Sequence, residues 1–236
     1  MRRLIPFASL LALLAAVLGP GAMRARAQDQ SPVDSENLVG PPVAGHTVDG
    51  VAVRIEDDII TESEVRELGK FQELVDGKEE PRAKILEELE DQWIIRGDAS
   101  ATKVAQPSEA DVQKQYDAFV KQFGPMEAFE KKLQEVGLTD KDVRRLVASQ
   151  LYYSRFLDFR FRPAAQVDDE QVADYYRDQL VTAMKAKGET PPPLDQVQER
   201  IHEVLVQQAI TKLADNWLDE TRAQLKIEIP GRGARK

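Results

Sequence analysis

The 236-residue chain has no cysteine, which excludes disulfides, thiol catalysis and cysteine-ligated metal. Its two histidines are His46 and His202, too far apart to sit at i±3 or i±4 as a ligand or relay pair on one helix. There is no H-E-x-x-H, no Gly-rich phosphate loop and no serine in a nucleophile-elbow context. Basic residues are the minority, 32 against 41 acidic, and nucleic-acid binding calls for the opposite balance. Beyond residue 18 no apolar run approaches the ~20 residues that span a bilayer. The composition therefore points away from an active site, a cofactor, nucleic acid and stable membrane insertion.

What is present begins with a leader. Arg2 and Arg3 precede an apolar run over residues 4–18, and Ala25-Arg26-Ala27 places small residues around a cleavage point. This is the order of a secretory signal, so export is expected, with cleavage near Ala27 and a periplasmic location. Gly19-Pro20-Gly21 would break a spanning helix. Removing residues 1–27 takes away four arginines and leaves 28 basic residues against 41 acidic, a net charge of −13. Residues 28–47 are polar and rich in Pro and Gly, the composition of a disordered tether.

The most informative segment is VAVRIEDDIITESEV, residues 51–65. It predicts a strand over 51–55, an acidic turn, a two-residue return strand and a helix opened by a Thr61/Glu64 capping box. A lone hairpin is marginal in water. Its natural partner is at the far end, where Leu225, Lys226, Ile227, Glu228 and Ile229 alternate with strand period. Between these ends the pattern is helical. Helices are predicted over 63–75, from Pro81 toward Val104, from Ser108 (capping with Asp111) to Phe123, and over 126–137 with Gly137 as a left-handed cap. Another opens at Thr139/Asp142, one is capped by Asp168, and a long one spans 195–225. The fold class expected is mainly α, with a small β-sheet made by an N-terminal hairpin and the C-terminal strand. The acidic groups Asp57-Asp58 and Asp168-Asp169-Glu170 are explained by turns and caps. Glu87, Glu88, Glu90 and Asp91 are expected on a solvated face.

The order of these segments resembles the N-terminal domain of SurA-type periplasmic chaperones and the chaperone domains of related PpiC-type and PrsA-type foldases. SEADVQKQYDAFVKQF, EAFEKKLQEVGLTDKDVRRLVASQLYYSRFL and VDDEQVADYYRDQ carry the likeness, and the closing LDQVQERIHEVLVQQAITKLADNWLDETRAQLKIEI is similar to the family's returning helix and strand. The resemblance covers residues 48–229 and leaves 230–236 as a tail. It implies a holdase for unfolded exported or outer-membrane proteins, working without ATP. In the family a parvulin isomerase domain sits between a segment like 167–180 and the final helix. Here only residues 181–194 separate them, against the ~50 or more a domain takes. The paired histidines of a parvulin site are also missing. Peptidyl-prolyl isomerase activity remains the alternative by family likeness, and an adaptor with one fixed partner is a second.

Aromatic residues crowd the middle of the chain. Phe119, Phe123, Met126, Phe129, Tyr152, Tyr153 and Phe156 lie on three consecutive helices joined by tight Gly-containing turns. They are the candidate client-binding residues, expected to converge on one surface. Adjacent helical residues point about 100° apart, so Tyr152 and Tyr153 are expected not to be buried together. Aromatics and Met suit varied polypeptide clients because their contacts are weakly directional.

Overall fold

The computed structural model describes residues 49–230. The expected signal sequence, the tether and residues 231–236 of the tail lie outside the described residues.

β1 (Val51–Ile55) and β2 (Asp58–Thr61) form an antiparallel hairpin, and β3 (Ile227–Glu228) pairs antiparallel with β1 on its other side. The two ends of the described chain thus meet in one sheet of order β2-β1-β3. Arg54 faces Glu228 and Ile55 faces Ile227. A bulge between Val51 and Val53 lets the consecutive residues Ala52 and Val53 both be buried. The hairpin turn contains Glu56 at φ +52°, an uncommon conformation for a residue with a side chain. Two bonds hold it there. The Glu56 N–H donates to the Lys226 carbonyl at 3.0 Å, and the Lys226 N–H donates to Glu56 Oε1 at 2.7 Å.

The return strand has four residues where the sequence pattern predicts two. β3 has two where it predicts five, for local reasons at both ends. The Leu225 N–H still bonds the Arg222 carbonyl in the last turn of the preceding helix, and Pro230 has no N–H to continue a ladder.

The helices follow their caps. α1 (Glu62–Asp76) opens on the Thr61/Glu64 capping box and closes on Gly77 in the left-handed region. α2 is Arg82–Ala101 and α3 is Glu109–Val120, the latter opened by Ser108 and Asp111. A 3₁₀ turn (Lys121–Phe123) leads to α4 (Met126–Val136), which Gly137 ends at φ +69°. α5 (Asp140–Phe161) opens on Thr139 and Asp142. α6 (Asp169–Tyr175), capped by Asp168 and Gln171, runs through a π-helical turn (Tyr176–Leu180) into α7 (Val181–Ala186). α8 (Leu194–Arg222) returns to the sheet. Residues 181–194 hold α7 and the Pro-rich turn that leads into α8.

Three apolar clusters make the core. One joins the sheet to α1 and the first half of α2 through Val53, Ile55, Ile60, Val65, Leu68, Ile85, Leu86 and Ile227. Gly69 admits this contact, since a Cβ there would come within 3.0 Å of Ile85 Cδ1. The second gathers Phe71 and Leu74 of α1 with α3, α4 and the first half of α5. The third packs the second half of α2, the second half of α5 and Val206, Ile210, Ala214 and Leu218 of α8. Trp93 and Leu225 touch both the first and the third clusters.

Deleting residues 225–236 removes β3 and both bonds that hold Glu56. The melting temperature of the truncated protein should fall by at least about 5 °C. An unchanged melting curve would show that the strand pairing contributes nothing.

Candidate binding surface

The seven candidate residues do not converge on one surface. Phe119 and Phe129 are buried in the α3–α4 cluster, with Phe123 half-buried against them. Their rings pack edge-on or tilted, Phe119 to Phe123 at 5.2 Å and Phe123 to Phe129 at 5.2 Å. Tyr152, Tyr153 and Phe156 belong to the other cluster, against α2 and α8. Of the seven, only Met126 is exposed, at 51%. The physical reason is the length of α5. Its 22 residues span about 33 Å, so its first half meets α3 and α4 while its second half meets α2 and α8. Clasped between two helices, the second half buries two faces at once. Tyr152 and Tyr153 are accordingly both buried, at 6% and 7% exposure, contrary to the expectation from their adjacency. Burial also raises the Tyr153 hydroxyl above the usual tyrosine range.

Arginines of α5, and Arg162 just beyond its C-terminus, reach out to the surrounding helices. Arg145 pairs with Glu67 of α1, Arg155 with Asp111 of α3 at 2.8 Å, Arg160 with Asp98 of α2 at 2.7 Å, and Arg162 with Glu203 of α8 at 2.7 Å. Each is solvent-accessible and contributes at most ~1 kcal/mol, but together they fix the angular position of α5. Arg160 also lies over the Trp217 ring, 4.7 Å from its centroid. The large apolar side chains left exposed are Phe159 at 64%, Met126 at 51% and Ile59 at 47%. Single exposed apolar residues of this kind are ordinary.

A set of partly covered apolar side chains lies elsewhere. The first part of α8 lies outside the three core clusters and packs against α6 instead, forming a two-helix arm that α7 extends. Along the arm Val172 and Ile201 are fully buried, whereas Tyr175, Leu180, Val181, Met184, Leu194, Val197, Val204 and Leu205 are only partly covered. Two helices packed side by side have no third layer, so the flanks of their seam stay accessible. The Tyr176 hydroxyl donates to the Pro192 carbonyl at 2.7 Å and fixes the turn to the π-helical segment. Such segments often occur at functional sites. Tyr175 and Tyr176 are each half-buried where α6 runs into the π-helical turn.

The expected solvated face of α2 is in fact mostly interior. Glu88, Glu90 and Asp91 are buried, with Gln72 beside them. Gln72 and Gln92 donate to the Glu88 carboxylate, and Arg222 pairs with Asp91. Desolvation pushes the carboxyl of Glu88 up to about 7 and that of Asp91 up to about 7. A sequence signal existed. Ile94 lies three and four residues beyond Asp91 and Glu90, and residues at that spacing share a face. Burying Ile94 and Ile95 carries the acids inward with them.

His202 is half-buried on α8, and its neighbour Glu203 is held below the usual carboxylate range by Arg162. Among the described residues no group of three or more His, Asp or Glu side chains is arranged to hold a metal ion. No described helix is long and apolar enough to cross a membrane. No protein-family model matches the chain, and no curated protein matches it.

Truncating a buried and an exposed aromatic separates core from surface on α5. Tyr153→Ala should cost ~3–5 kcal/mol in denaturant unfolding, and Phe159→Ala no more than ~0.5 kcal/mol. Comparable losses in both would mean that Phe159 packs against something the fold does not show.

Proposed function

We propose that the protein is an ATP-independent holdase of the periplasm, not an enzyme, which binds unfolded exported or outer-membrane polypeptides. The observation that carries this reading is the arm, a two-helix element with an apolar seam and partly covered tyrosine, leucine, valine and methionine side chains along its flanks. Contiguous accessible apolar surface marks interaction sites, and Met and aromatic side chains accommodate many sequences. The leader's order supports export, and the net negative charge of the body favours apolar over electrostatic capture. An isomerase reading finds little support, since residues 181–194 are occupied by α7 and the turn after it.

The client surface moves from the middle helices to the arm because five of the seven original candidates hold the core together. A side chain that is already buried has no surface left to offer a client.

The purified mature protein should suppress aggregation of several unrelated unfolded proteins without nucleotide. Leu180→Ser combined with Val204→Ser should weaken that activity several-fold while leaving the α2–α5–α8 core folded, as read by the near-ultraviolet signal of Trp93 and Trp217, both packed on that cluster. Raising salt about tenfold, enough to screen charge pairs, should change affinity for an apolar peptide by less than about threefold. Protection of one client only, with a steep salt dependence, would replace the holdase by an adaptor. Catalysis of prolyl isomerisation at parvulin-like rates would overturn the non-enzymatic reading.

A further inference from the structure

α1 and α2 close on each other around a buried acid. Glu88 of α2 is 7% exposed and Gln72, opposite it on α1, is 5% exposed. Gln72 Nε2 donates to Glu88 Oε2 at 2.5 Å, and Gln92 Nε2 donates to Glu88 Oε1 at 3.2 Å. Both donors are neutral amides. The cations of the two helices are engaged elsewhere. On α1, Arg66 donates to Ser63 and Lys70 to the Gly137 carbonyl. On α2, Arg82 pairs with Glu62 and Lys84 with Glu80, and Lys78 in the turn between the helices also pairs with Glu80. Arg96 lies about two turns farther along α2, and Arg145 of α5 is taken by Glu67. The charges that do face Glu88 are of its own sign, Asp76 at the end of α1 and Glu80 in the turn. Beside the carboxyl, the side-chain oxygen of Gln72 is buried and has no donor. The contact thus sets a carboxyl without a cation next to an unfilled acceptor. Leu68, Ile85 and Leu89 of this contact belong to the sheet cluster, and Phe71 and Leu74 to the cluster of α3, α4 and α5, so the seat of α1 on α2 joins the two.

We propose that the α1–α2 contact is a proton-dependent clasp, closed while Glu88 carries a proton and loosened when its carboxyl ionises. An ionised carboxyl buried without a cation is costly in a low-dielectric interior, and two amide bonds recover only part of that cost. A proton on Glu88 removes the buried charge and adds the donor that the contact lacks. Burial is the main cause that raises the carboxyl, from an ordinary 4.5 to about 7, against the pull of the Gln72 and Gln92 bonds, while Asp76 and Glu80 add to the rise. A carboxyl raised in the folded state gives stability that is full below its unfolded value and is lost as pH rises through 7. The clasp is therefore tightest at mildly acidic pH and loosest above neutrality. Carboxylates that are lowered in the fold, such as Asp142 and Glu203, act in the opposite sense at lower pH, outside this window. Asp91 is raised to about 7 by its own burial, so Glu88 is separated from it by comparing variants at each pH.

Carbon-13 NMR of the glutamate carboxyl carbons in the full mature chain tests the clasp directly. The resonance that disappears in Glu88→Gln should titrate in the wild type with a midpoint above about 6. In Gln92→Ala, which removes one lowering bond at a half-buried position, that midpoint should rise. Hydrogen exchange then reads the contact itself. Glutamine reproduces the neutral form of the acid, so amides over residues 72–76 should be about tenfold better protected in Glu88→Gln than in the wild type at pH 8, and equally protected at pH 5.5. Asp91 is present in both proteins and cancels in this comparison. Should Glu88→Gln fail to fold, the resonance that moves in Gln92→Ala identifies Glu88, and its midpoint decides. A Glu88 midpoint below about 5, an unmoved midpoint in Gln92→Ala, or the same change of protection in Glu88→Gln at both pH values would each overturn the clasp.

Discussion

Val206, Ile210, Ala214 and Leu218 seat the second half of α8 against α2 and α5, and the remaining architecture depends on that contact. It carries the chain back across the molecule to deliver β3 to β1. It also covers the second face of α5, which is why Tyr152 and Tyr153 can both be interior. Without α8 in place, the hairpin would be left as two strands with a non-glycine residue at positive φ in its turn. Neither is stable alone. Long-range contacts of this kind are entropically expensive to form. Burial of Leu218 and Ile227 at the end of the return compensates that cost by the transfer of apolar area out of water.

The same return brings the acidic side of α2 into contact with Arg222. Replacing such a buried ionic group by well-packed apolar residues is often neutral or stabilising, so stability alone does not explain it. What the group adds is direction. An arginine fits among Glu87, Glu90 and Asp91 in one register of α8 on α2, and a slip of a turn would leave buried charge without its counterpart.

Under the proposed holdase reading, client binding and core packing call on the same residue types. Aromatics that a holdase could use for clients are consumed where a helix is clasped on two sides, and become available where it is packed on one. The division runs along α8. Its second half closes the core, and its first half, with α6 and α7, leaves apolar flanks open. The proposed likeness to SurA-type chaperones rests on the order of helices and caps. The location of an open apolar seam is a property of how those helices are layered.

Most helix starts were legible in the residues because they are set locally. Thr61 with Glu64, Ser108 with Asp111 and Thr139 with Asp142 form hydrogen bonds within one turn, and Gly137 supplies a conformation that only its own backbone requires. The pairing of the two ends was legible too, since each strand-period segment lacked any other partner. Burial was not legible in the same way. Whether Tyr152 and Tyr153 share the interior, or whether Glu90 and Asp91 face water, depends on how many neighbours a helix acquires, and those neighbours lie up to 131 residues away. Periodicity reports that a helix has an apolar stripe. How wide a stripe is covered is decided by packing, which placed five of the seven candidate residues in the core and left partly covered side chains on the arm.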